Sequence, residues 1–224
     1  MDIIDILIDI LNVFIYVVIF IFSCMIHEIS HGYFAHLRGD DTAKSMGRLT
    51  LNPLPSIELF GSIIFPITLL LLKFPIVFGW SRPVPIDYRN LKKTKLDVFL
   101  ISLAGPAANL LLALLSGLGI RFINIFADFK IGFGASISYF LWKMLIINIW
   151  LAIINFLPVP SFDGAKIAAC FMPKDMAKKY MNLNSFICWM IVLLLLCSDA
   201  VFVLLYPFNF LVTLFSGSGF QSLC

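Results

Sequence analysis

Charged side chains are scarce in this chain. Asp, Glu, Lys and Arg make up 13% of its 224 residues, about half the share found in an ordinary soluble domain, and too few to cover the surface of one. Cysteine pairs are missing as well. Cys24, Cys170, Cys188, Cys197 and Cys224 form no Cys-x-x-Cys motif and show no framework spacing, which excludes a disulfide scaffold and a thiolate zinc cluster and leaves free thiols among helices. Neither charge sign dominates. The net charge of +3 gives no reason to expect nucleic acid as a partner. There is no internal repeat and no polar linker, so residues 1–224 read as a single domain. The first apolar run lacks a basic leader and a small-residue cleavage site, so it is expected to stay in the mature protein.

What is present is apolar. Hydrophobic residues make up 61% of the chain and the mean hydropathy is +0.99, with several runs near the roughly 20 residues that cross a hydrocarbon core. This composition predicts an all-α polytopic membrane protein with four to five transmembrane helices, set in a lipid bilayer. The first run, Ile10 to Ile26, follows an acidic start and is expected to end near Arg38-Gly39-Asp40-Asp41, with Gly39 as terminator. Gly47 to Leu51 alternates briefly and reads as a short strand before Pro53 and Pro55. Ile57 to Phe78 carries Glu58, Gly61, Pro66, Lys73 and Pro75 and either spans or dips in and returns. Val98 to Ile120 and Ser138 to Phe156 are further spans. Pro158 and Pro160 must open the chain after the second of these, and a basic amphipathic stretch runs from Lys166 to Lys179. The last block, Phe186 to Phe215, is interrupted at Ser198-Asp199 and at Pro207. It is either one span with a kinked tail or two short elements.

The first run carries Ile26-His27-Glu28-Ile29-Ser30-His31-Gly32. On a helix, residues four apart share a face, so His27 and His31 point the same way and can hold one metal ion. Glu28 can then reach a water beside that metal and take its proton, the work of a general base. An unpaired charged group at the bilayer centre costs about 2.5–3.5 kcal/mol, so such a cluster within an apolar run points to function. His36 lies five residues past His31, roughly 140° off the ligand face, and is not expected to be a ligand.

Asp163 is the carboxylate that follows a broken, glycine-terminated intramembrane helix, and it is the candidate third ligand. This choice constrains the topology. The exits of the first helix and of the Ser138 helix must lie on one side of the membrane, which requires Ile57 to Phe78 to be a re-entrant segment between the first and second full spans. The stretches 38–95 and 166–179 then share a side and hold 13 of the 16 Lys and Arg residues. By the positive-inside rule that side is the cytoplasm.

These motifs together resemble the site-2 protease family of intramembrane zinc metalloproteases. They are His27 to Gly32, Gly47 to Pro55, Gly79-Trp80 with Arg82 to Pro85, Gly105-Pro106 with Asn109, and Asn155 through Asp163-Gly164. The resemblance implies one zinc ion held by His27, His31 and Asp163, with Glu28 as base, in a small form without PDZ or nucleotide-sensing modules. Its substrates would be the transmembrane segments of other membrane proteins. Small members often carry a His and an Asp where this chain has Ser56 and Glu58. Two His and one Asp leave a fourth position open, the pattern of catalytic rather than structural zinc. Asn109 and Asn155 are read two ways, as oxyanion or substrate donors or as interhelical glue. Trp80, Trp142, Trp150 and Trp189 are read as belt or packing residues. A metal-binding membrane transporter and a non-catalytic membrane scaffold are the alternative functions.

Overall fold

The computed structural model of the chain describes residues 3–72, 79–126, 133–198 and 201–217. Lys73, Pro75, Phe78, Asp199 and Cys224, named above, lie outside the described residues, and with them the end of the segment expected to be re-entrant. Nine α-helices are described: α1 (Ile3–Leu37), α2 (Thr42–Ser45), α3 (Phe65–Leu71), α4 (Thr94–Phe126), α5 (Phe133–Asn155), α6 (Asp163–Cys170), α7 (Lys174–Met181), α8 (Ser185–Cys197) and α9 (Val201–Ser216). Three are long and apolar enough to cross a membrane: Ile3–Leu37, Thr94–Ile125 and Gly134–Asn155. The expectation of four to five spans is met only that far. Phe186 to Phe215 resolves into two short helices, α8 and α9, and even the 16 residues of α9 reach only about 24 Å of the roughly 30 Å of a hydrocarbon core.

The expected strand at Gly47 to Leu51 is not formed, and no strand occurs among the described residues. Arg48 donates its backbone N–H to Ala43 O, closing the turn after α2. Asn52 and Thr50 then spend their side chains on local turn bonds.

Long α4 lies between α1 and α5. Ile19, Phe20 and Cys24 of α1 meet Met144, Ile147 and Leu151 of α5. On its other side, Ala113 and Ile120 of α4 join Leu145, Ile149 and Ile153 of α5 with Leu204, Phe208 and Val212 of α9. The distribution of polarity is inverted relative to a soluble bundle. Leu11, Phe14 and Val18 on α1 and Leu111, Leu115 and Leu118 on α4 are exposed, whereas Ser23, His27, Asn109 and Asn148 are buried. Between helices in lipid, buried polar groups bonded to one another supply attraction that apolar contact does not.

At the end of α1, Gly39 takes φ 107°, a left-handed value that glycine adopts without penalty, as the sequence predicts for a terminator. Asp40 follows, wholly buried, and accepts from Thr42 N, Thr42 Oγ1, Asp87 N and Asn90 Nδ2. Burial alone would raise its carboxyl, but these donors hold it below the usual range. Asp40 thereby pins the loop at 87–90 to the end of α1, and this fixes the preceding segment against the α1 face that carries Glu28.

The described start of the second apolar segment is helical and bonds to the residues that follow the segment. A π-helical turn at Leu59–Ile64 feeds α3, and Glu58 caps it by accepting from Gly61 N at 2.6 Å. This gives the departure at position 58 a structural role. Residues 80–82 bond to residues 56–62: Trp80 N to Gly61 O at 3.1 Å, Ser62 Oγ to Trp80 O at 2.8 Å, and Arg82 N to Ser56 O at 2.9 Å.

Candidate metal centre

His27 and His31 lie one turn apart on α1, and the closing turn after α5 delivers Asp163 to them as the first residue of α6. Asp163 Oδ2 is 3.1 Å from His27 Nε2 and 2.9 Å from His31 Nε2, and the two Nε2 atoms are 3.0 Å apart. All three side chains are buried. The opposite edge of each imidazole is already bonded: His27 Nδ1 donates to Asn109 Oδ1 at 2.6 Å, and His31 Nδ1 donates to the Ile101 carbonyl at 2.6 Å. With Nδ1 protonated, each neutral ring turns an Nε2 lone pair inward.

Three acceptors therefore converge with no proton between them. Two imidazolium N–H groups 3.0 Å apart would repel each other, so protonation cannot relieve the whole cluster. A divalent cation relieves all three at once, and neutral imidazole with carboxylate is the donor set that zinc takes. The residues present fit the ion.

Glu28 faces the same cavity, which has a volume of about 400 Å³. Its Oε2 accepts the Val84 backbone N–H at 2.7 Å and its Oε1 accepts Ser81 Oγ at 3.2 Å. The extended segment at 81–84 thus fixes the direction of the carboxylate. Asn155 also lines the cavity, with its amide nitrogen donating back to Leu151 O at 2.9 Å.

Of the two readings of Asn109, its placement fits the interhelical one. It is 0% exposed and sits behind His27. Its amide nitrogen donates to Asn148 Oδ1 at 2.8 Å, and Asn148 in turn donates to Ser23 Oγ and Met144 O, each at 2.9 Å. An amide committed in this way orients the ligand and does not meet an oxyanion. Removing such a partner typically lowers metal affinity 10- to 100-fold. Asn109→Leu is therefore expected to weaken zinc binding by about 10-fold or more, measured by competition with a chelator of known affinity; unchanged affinity would show that the His27 tautomer is set elsewhere.

His36 is directed away, bonded to Asp41 and to Lys44. Trp80 and Trp189 lie against each other, ring centres 5.7 Å apart, and both line the cavity, so these two are walls of the site rather than belt residues. Trp150 stacks on Phe208 in the core. Among the described residues Cys24, Cys170 and Cys188 are free thiols. Several contributors escape a reading of the sequence. Asn148 sits two helical turns before Asn155, a spacing that could have flagged it, and Lys166 is one turn past Asp163. The donor from Val84 is backbone and leaves no mark in the sequence.

The chain is 33% identical over 171 residues to "Putative zinc metalloprotease YwhC" of Bacillus subtilis (strain 168), covering 76% of this chain and 74% of that protein. It is 31% identical over 144 residues to "Putative zinc metalloprotease Rip2" of Mycolicibacterium smegmatis, covering 63% of this chain and 51% of that protein. No family model matches the chain, and no solved structure matches it.

Proposed function

The chain belongs to the zinc metalloprotease family represented by YwhC and Rip2, and from that premise we propose that it is an intramembrane endopeptidase of the site-2 type, hydrolysing peptide bonds in or near the transmembrane segments of other membrane proteins. The observation that carries this reading is the convergence of the acceptor atoms of His27, His31 and Asp163, with Glu28 on the same cavity, within a bundle whose outer faces are apolar.

His27, His31 and Asp163 would hold one zinc ion. Bound there, zinc makes a water nucleophilic near neutral pH and polarises a peptide carbonyl. Glu28 takes the proton from the attacking water and passes it to the leaving amine, and the Val84 N–H and Ser81 hydroxyl keep its carboxylate aimed during both transfers. Val84, Ile86, Leu151, Ile154, Phe162, Trp80 and Trp189 close most of the cavity with apolar surface, which limits bulk water around the reacting groups. A helical substrate hides its carbonyls in its own hydrogen bonds, so cleavage should favour segments that carry helix-breaking residues.

The bonds joining Trp80 to Gly61 and Arg82 to Ser56 support a segment that enters and leaves on one side. With that parity α1 and α5 would cross in the same direction, and the charge bias supports an orientation with the catalytic ends of these helices toward the cytoplasm. The test of the function is to map the products of a model transmembrane substrate by mass spectrometry. Zinc-dependent cuts inside the spanning segment are expected, and cuts confined to its flanking loops would overturn the intramembrane reading. The topology has its own test, in which Lys92→Cys is expected to resist impermeant thiol reagents outside intact cells; ready labelling would mean that the second segment spans.

A further inference from the structure

The addition of water to a peptide carbonyl leaves negative charge on the carbonyl oxygen, and groups that meet this charge are usually the largest single contribution to the rate. Most side-chain donors around the cavity are already engaged. The Ser81 hydroxyl is given to Glu28, Ser161 donates to the Pro160 carbonyl, and the Asn155 amide is bonded to Leu151 O. Asn109 is buried behind His27. Among the described residues lining the cavity, Lys166 is the one Lys or Arg. It sits three residues after Asp163 on α6, and its Nζ donates to Asp163 Oδ1, the oxygen turned away from the imidazoles, at 3.0 Å. Its side chain lines the cavity and is 39% exposed against 6% for Asp163, and the bond to Asp163 leaves its ammonium group two further N–H donors.

Resting on the protease reading above, we propose that Lys166 is a catalytic residue whose ammonium group donates one N–H to Asp163 Oδ1 and a second to the scissile carbonyl oxygen as that oxygen becomes an anion. As the bond from water oxygen to carbonyl carbon forms, the water proton goes to Glu28 and the carbonyl π pair moves onto oxygen, where Lys166 meets it. On collapse the pair returns, the C–N bond breaks and the Glu28 proton goes to the departing nitrogen. Lys166 keeps its own proton throughout. Its bond to Asp163 Oδ1 also leaves Oδ2 alone facing the imidazoles.

The test uses the full chain in detergent with a model transmembrane substrate, comparing wild type, Lys166→Met and Lys166→Arg. Lys166→Met is expected to keep its zinc content, with zinc affinity and KM within about threefold of wild type, while kcat falls on the order of 100-fold, as for other single oxyanion donors. Lys166→Arg should recover much of kcat. A phosphinic peptide, whose anionic oxygen mimics the tetrahedral stage, should lose affinity for Lys166→Met in step with kcat. Wild-type cleavage with an unchanged kcat in Lys166→Met would overturn the assignment and leave the protease reading intact. Loss of zinc affinity in parallel with kcat, with phosphinic-peptide binding to the zinc-loaded variant unchanged, would overturn it too and reduce Lys166 to a support for Asp163. A wild type that cleaves no transmembrane substrate in a zinc-dependent way would remove both.

Discussion

Gly105→Ala is expected to empty the metal centre while the helices stay formed. Glycine within a helix usually costs about 0.5–1 kcal/mol relative to alanine, so this change should favour α4 itself. At this position, however, α4 backs directly onto the two imidazoles. A Cβ on Gly105 would lie 2.4 Å from His31 Nε2 and 2.6 Å from both His27 Nε2 and Cε1, closer than any ordinary contact. The rings have little room to yield, because Asn109 and the Ile101 carbonyl hold their far edges. The clash must be relieved by turning at least one Nε2 away from Asp163. Zinc affinity should fall by about 100-fold or more, the upper end of what misoriented ligands lose, with helix content by circular dichroism unchanged. Wild-type zinc content and cleavage in Gly105→Ala would show that α4 does not approach the histidines in this way.

Asp163→Ala should have an effect of similar size by a different route. It removes the only anion among the three acceptors and leaves Lys166 without the carboxylate it bonds. The cavity then holds two neutral imidazoles beside an unpaired ammonium group, which repels a divalent ion. Bound zinc should drop to about a tenth of wild type or less after dialysis, and cleavage should fall to background. Asp163→Asn, which keeps the shape and loses the charge, should lie between the two. If Asp163→Ala retained full zinc, the ion would have to be held by other ligands.

The difference between these variants and Asn109→Leu reflects what the sequence alone could convey. A ligand motif with fixed spacing on one helix is legible because helical geometry sets the face that His27 and His31 share. Asp163 was legible because a break between a long apolar helix and an Asp-Gly pair has few uses at membrane depth. The three long spans follow from apolar runs, and Gly39 marked the end of α1 through its backbone freedom. The role of Asn109 was not legible. Whether an amide on α4 faces substrate or a histidine depends on how α4 rotates between α1 and α5, and local sequence does not encode that rotation. The strand expected at Gly47 to Leu51 failed because alternation needs a partner strand, and here the backbone closes a turn onto α2 instead. The split of Phe186 to Phe215 at Ser198 could be seen as an interruption, but whether it ends a helix or bends one depends on packing against α4 and α5. The Val84 N–H reaches Glu28 only once the segment at 81–84 is packed against α1, a tertiary contact that local sequence does not mark.

The most direct measurement on the central claim is cleavage of a model transmembrane substrate in detergent by wild type and by Glu28→Gln, with zinc determined on both. Glutamine keeps the shape of Glu28 and can still accept the Val84 N–H, but it cannot take a proton from water. Both proteins should hold about one zinc ion per chain, and cleavage by Glu28→Gln should fall by at least about 100-fold. Zinc bound by the wild type with no cleavage of any helix-destabilised substrate, or equal cleavage by the two proteins, would contradict the account.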